Sequence, residues 1–181
     1  MTRFTNARLL ALAAFTLAIG IAANAKAEDK EKAKTSQFDM LKALAGEWTG
    51  KADHGKMTHD AKVVYKVTSG GSAVVETIDP GGEHEMVTVF TQDGDDIVLT
   101  HYCMLGNQPR MKAGGGNGGK KLVFKFAGAG NLKSDKEPHM HDLTIEFIDA
   151  DHIKSTWTFY QDGKEDSKAD FDMKRKKKVA N

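Results

Sequence analysis

Four side chains able to bind a metal, move a proton or attack an electrophile stand in the sequence as two strand-spaced pairs. They are His101 with Cys103, and His139 with His141. Residues two apart on a β-strand share a face, so each pair presents its groups together. His139 and His141 fall on the parity of Leu143, Ile145 and Phe147, the face that should look into a core. His101 and Cys103 share theirs with Ile97 and Leu99. Their stretch, Ile97–Arg110 (IVLTHYCMLGNQPR), runs from a strand into a polar loop and delivers Asn107, Gln108 and Arg110 at the strand's end. His59 joins the inward parity if a strand over 61–69 extends backwards.

A buried imidazole must find a partner, or its desolvation costs about 1–3 kcal/mol. Three chemistries meet that demand. In the plainest, the histidines are structural, bonded to Thr100, Gln108 or the backbone. In the second, His101, Cys103, Asn107, Gln108, Arg110, His139 and His141 orient a ligand in a mostly apolar pocket. In the third, His139 and His141 share a metal ion or haem iron, with His101 or Cys103 completing the set and one position left open. No H-E-x-x-H or C-x-x-C motif accompanies the pairs. Nucleophilic catalysis fits less well, because His101 stands on the same strand as Cys103 rather than opposite it. A lone buried cysteine is usually a small hydrophobe. Gly114–Gly119 lacks the Lys-Ser/Thr ending and the following helix of a phosphate loop, so it reads as a hairpin tip. His54, His84 and His152 lie near turns among charged residues and read as exposed.

The elements that must position these groups are mostly strands. Ser36 to Asp39 has the form of a capping box ahead of Phe38, Leu41 and Leu44, with Gly46 as the stop, which predicts one short amphipathic helix. It would lie across an apolar opening. Gly46-Glu47-Trp48-Thr49-Gly50 starts the first strand. Strands are predicted over 61–69, 72–79, 83–92, 97–104, 121–126, 139–149 and 153–161, and a last one carries Ala169, Phe171 and Met173 inward. Turn residues separate them: Gly70-Gly71, Asp79-Pro-Gly-Gly82, Asp93-Gly-Asp-Asp96 and Asp162-Gly163. About eight or nine antiparallel strands leave two edges to manage, and closure into a small up-and-down barrel is the simplest way. Such a barrel holds side chains or one small ligand.

The chain of 181 residues begins with a segment that reads as separate from this fold. Arg3 and Arg8 precede the apolar run Leu9–Ala23, and Ala23-Asn24-Ala25 and Ala25-Lys26-Ala27 both fit a small-x-small cleavage site. Residues 1–25 therefore read as a secretory signal peptide cut after 25 or 27, which implies a periplasmic or secreted protein. The run is about 15 residues, short of the ~20 that span a bilayer. Residues 26–35 form a charged leader, 36–174 one barrel domain and 175–181 a basic tail. The single cysteine precludes an internal disulfide, so the core carries stability unaided. Removing both signal arginines takes the formal charge from +1 to about −1. Cations elsewhere alternate with acids, which gives no footing for nucleic acid.

A short helix running into Gly46-x-Trp48 on the first strand of an all-β meander resembles the calycin group, which includes the lipocalins. With the HYC and GNQPR segments, the mature chain resembles an uncharacterised family of secreted bacterial calycin-like proteins. That resemblance implies an all-β, lipocalin-like barrel in which Trp48 packs at the closed end beneath a basic residue of the last strand, Lys174 or Arg175. The expected function is binding of a small, largely apolar molecule in a histidine-lined pocket, with no cofactor required. The alternatives are a metal-dependent enzyme or haem protein using His101, Cys103, His139 and His141, and a structural or partner-binding module. The last would need an exposed apolar face.

Overall fold

The structure, a computed structural model, describes residues 36–55, 57–114 and 119–177. The signal segment with its cleavage sites, the leader up to residue 35, the tip of the Gly114–Gly119 loop and the end of the basic tail lie outside those residues.

Ser36 caps the one α-helix, α1 (Gln37–Ala43), its hydroxyl accepting from Asp39 N–H at 3.0 Å. An oxygen at this position satisfies an amide that has no partner inside the helix. Phe38 and Leu41, three apart, form its buried face, and Leu44 continues it. Ten strands follow: β1 (Gly46–Asp53), β2 (Thr58–Thr68), β3 (Ala73–Ile78), β4 (Met86–Asp93), β5 (Asp96–Tyr102), β6 (Gln108–Ala113), β7 (Lys121–Gly130), β8 (His139–Asp149), β9 (His152–Gln161) and β10 (Lys164–Arg175). Each pairs antiparallel with its sequence neighbours, and β1 pairs with β10, so the sheet is a closed barrel.

The count exceeds the expected eight or nine because the polar segment after Asn107 is a strand. Pro109, Met111 and Ala113 are buried along β6, while Arg110 and Lys112 face outward. Proline cannot donate to a ladder and normally argues against a strand interior. Here Pro109 sits where the β6–β7 register shifts, beyond the last β5–β6 partner pair, Thr100 with Arg110. The bulge accommodates the missing donor.

The inward faces form one continuous core, including Trp48, Phe90, Leu99, Met111, Phe124, Ile145 and Trp157. At one end α1 covers it. Trp48 is fully buried and donates from Nε1 to Leu44 O at 2.8 Å. The guanidinium of Arg175, its partner on β10, lies 4.3 Å from the indole centroid. Arg175 also donates to Ala43 O at 2.8 Å, Ala45 O at 2.9 Å and Asp151 Oδ1 at 3.0 Å. It thus satisfies the carbonyls at the helix end. Of the two basic residues expected over Trp48, Arg175 does this and Lys174 is exposed. Gly46 is required at this junction: its φ is +135°, and a Cβ would come within 3.3 Å of Arg175 Nη1. In an antiparallel barrel the β1–β2, β3–β4, β5–β6, β7–β8 and β9–β10 connections all gather at the end opposite α1. Among the described residues, no helix is long and apolar enough to cross a membrane.

Candidate functional site

A polar row crosses the inside of the barrel on four adjacent strands. Tyr65 on β2 is the register partner of Glu76 on β3, Glu76 of Thr88 on β4, and Thr88 of His101 on β5. All four are buried. Tyr65 O–H donates to Glu76 Oε1 at 2.6 Å. Thr88 Oγ1 lies 2.9 Å from His101 Nδ1, and that hydrogen bond continues the row. The other ring nitrogen, Nε2, is buried with no protein partner. Burial draws the His101 pKa down from 6.5 to about 4, so the ring is neutral. Burial also raises the Glu76 carboxyl, against the opposing hydrogen bonds from Tyr65 and Thr88. The His101 ring lies 4.7 Å from that of Trp157 on β9.

The second group surrounds the start of β8. His139 Nδ1–H donates to Glu137 O at 2.7 Å, leaving Nε2 as the acceptor. Its ring is 5.7 Å from His141, 4.9 Å from Phe126 and 6.1 Å from Tyr160. His141 stacks on Tyr160 at 3.8 Å and on Phe126 at 4.7 Å. The two histidines do not share one buried face, as strict alternation would have it. The β8–β9 register shifts between Met140 and Asp142, and this bulge leaves His141 half-buried while His139 is 1% exposed. Asp142 then accepts from Lys125 at 2.8 Å, and its other oxygen lies 3.1 Å from His141 Nδ1.

The remaining predicted site residues fall around these groups. Cys103 is buried, and burial raises its thiol pKa, which opposes an activated thiolate. Asn107 is buried and donates from Nδ2 to Pro138 O at 2.8 Å, tying the β5–β6 connection to the residue before His139. Gln108 is half-buried and donates to Gly106 O at 3.0 Å. Arg110 is exposed on the outward face of β6. Among the described residues, no three His, Cys, Asp or Glu side chains are grouped as a metal site. The set of His101, His139 and His141 is not assembled. His101 is held against Trp157 by Thr88, and the other two belong to the Phe126–Tyr160 stack.

Buried polar atoms without a protein partner mark what this interior can do. They are Glu76 Oε2, His101 Nε2, His139 Nε2, Asn107 Oδ1 and Trp157 Nε1. The reading from sequence missed Glu76 and Thr88. Glu76 had a visible signal, since it stands on the parity of Val74 and Ile78, where a carboxylate is out of place. Thr88 had none, because threonine suits either face of a strand.

The sequence matches no family model and no curated protein. Solved structures share the fold. A protein of unknown function from the DUF3598 family of Nostoc punctiforme PCC 73102 superposes with a TM-score of 0.53 at 13% identity, over 75% of this chain and 48% of that one. The chain thus spans about half the length of the Nostoc protein. Rv2717c from M. tuberculosis superposes with a TM-score of 0.58 at 14% identity, over 77% of this chain and 97% of that one. The protein is similar to both as a barrel of this architecture.

Proposed function

We propose that the barrel binds a small, largely apolar ligand inside its walls, oriented by the unpartnered Nε2 atoms of His101 and His139 and the free indole N–H of Trp157. Cys103, Asn107, Gln108 and His141 are the further candidate contacts, and Arg110 stands outside on β6. The observation that carries the reading is the set of unpartnered buried polar atoms. Each costs about 1–3 kcal/mol while bare, a cost relieved when a ligand group meets it. The apolar walls would supply the contact area, as in most small-molecule pockets. The N-terminal segment supports work in the periplasm or outside the cell.

A second reading draws on the same two imidazoles. His101 and His139 each have Nδ1 hydrogen-bonded to an oxygen and Nε2 unpartnered. Metal-binding histidines commonly show this arrangement. A haem iron needs only one such nitrogen.

Native mass spectrometry of protein purified from its own host, followed by denaturation, tests both readings. A released organic mass, with fluorescence quenching on rebinding that Trp157→Phe abolishes and Trp48→Phe retains, is the expected result. A protein of bare mass that quenches with no hydrophobic probe overturns the first reading. Haem titration of the parent, His101→Ala and His139→Ala decides the second: a Soret shift lost in one variant supports it, and identical spectra in all three remove it.

A further inference from the structure

The rim opposite α1 gathers a donor set different from that of the interior. Three loops contribute: β1–β2 brings His54 and Met57, β3–β4 brings His84, and β5–β6 brings Met104. His59 at the start of β2 and Met86 at the start of β4 share the same hollow of about 460 Å³, whose lining also includes Asp60, Lys62 and Asp79. We propose that this rim is a soft-metal site that takes Cu(I) through methionine sulfurs and histidine nitrogens.

Side-chain exposure is the first argument. Met57 is 66% and Met104 60% exposed, the highest values among the large hydrophobic residues found at the surface. A thioether held in solvent contributes little to stability. Three of the chain's eight methionines nevertheless line this one hollow. Their unbranched, flexible side chains can swing a polarisable sulfur inward.

The second argument is the pairing of nitrogen with sulfur. The rings of His54 and His59 stack at 5.2 Å with an interplanar angle of 2°. Thioether and imidazole donors together select Cu(I), whereas carboxylate-rich sets suit calcium or magnesium. Among the described residues no three His, Cys, Asp or Glu side chains form a metal site.

Anaerobic titration of the purified protein with Cu(I), in competition with the coloured chelator bicinchoninate, tests this. The parent should remove about one equivalent of Cu(I) from the chelator, and the Met57→Leu, Met86→Leu, Met104→Leu triple variant should bind on the order of tenfold or more weakly. Leucine nearly matches methionine in volume, so such exchanges usually leave a fold intact. Met57→Leu and Met104→Leu, both at exposed positions, are the second test and should each weaken binding several-fold. The double variant His101→Ala, His139→Ala should bind Cu(I) like the parent, which separates this rim from the interior site. X-ray absorption of the copper-loaded protein should show sulfur bonded to copper. Failure of the parent to compete with bicinchoninate overturns the proposal, as does equal competition by parent and both single variants.

Discussion

His101 and Thr88 face each other across β5 and β4, with 2.9 Å between Nδ1 and Oγ1. The bond occupies one ring nitrogen and leaves the other, Nε2, buried without a protein partner. A strand-to-strand contact therefore decides which ring nitrogen stays open.

That neutral imidazole has a pH signature. The folded pKa, about 4, lies below the ordinary value of 6.5, so between them the unfolded chain binds the extra proton. The contribution is fully present above about 6.5 and is lost as pH falls toward 4, amounting to about 3 kcal/mol. Denaturant unfolding of the parent and His101→Gln at pH 7 and pH 4 should show their stability difference shrinking by about that amount on acidification. A difference that stays constant with pH would mean that His101 is not held neutral.

At the helix-capped end, Trp48→Ala should cost about 3–5 kcal/mol as a large-to-small core change. Arg175→Met should cost about 1–3 kcal/mol, since it strips donors from the carbonyls of Ala43 and Ala45. Because the guanidinium also lies over the indole, the double variant should lose less than the two effects added. Full additivity in urea melts would show that the two residues act independently.

Gly46→Ala tests the junction between α1 and β1. A side chain at φ +135° costs about 1–3 kcal/mol in backbone strain, and its Cβ would press on Arg175. The melting temperature should fall, and fall less when Arg175 is already methionine. An unchanged melting temperature in Gly46→Ala would show that the junction tolerates a Cβ.

Cys103 should be a slow thiol. Its burial and raised pKa predict that a disulfide reagent modifies the folded protein on the order of 100-fold more slowly than the urea-unfolded chain. Equal rates would point to an accessible, activated sulfur.

Much of this architecture could be read from residue order, because local patterning and tertiary role agree in most segments. Ser36, Phe38 and Leu41 announce α1, and the alternation through Leu143, Ile145 and Phe147 announces β8. Parity alone groups His101 and His139 with core residues, and both are buried. Legibility fails where one residue breaks the period. Pro109 hides β6, since the bulge that excuses it depends on β7. The bulge beside His141 shifts that ring half out of the core, and nothing in HMHD signals it. The polar row is invisible as a row because its members stand on four strands, and their alignment depends on register. The rim is harder still: His54, His84 and Met104 lie in three separate loops, and their meeting depends on the barrel closing.

That closure has a consequence for how the chain reaches its native state. β1 finds its second partner only in β10, and the Arg175 contact with Ala43 joins residues 132 positions apart. Until β10 docks, β1 carries a free ladder of N–H and C=O groups that any other strand can join. Contacts so distant in sequence form slowly, because the loop-closure entropy comes before their reward. A chain stopped before β10 would keep most of its hydrophobic face and two raw edges, a template for self-association. Docking of β10 therefore acts as the checkpoint at which a sticky open sheet becomes a barrel without edges.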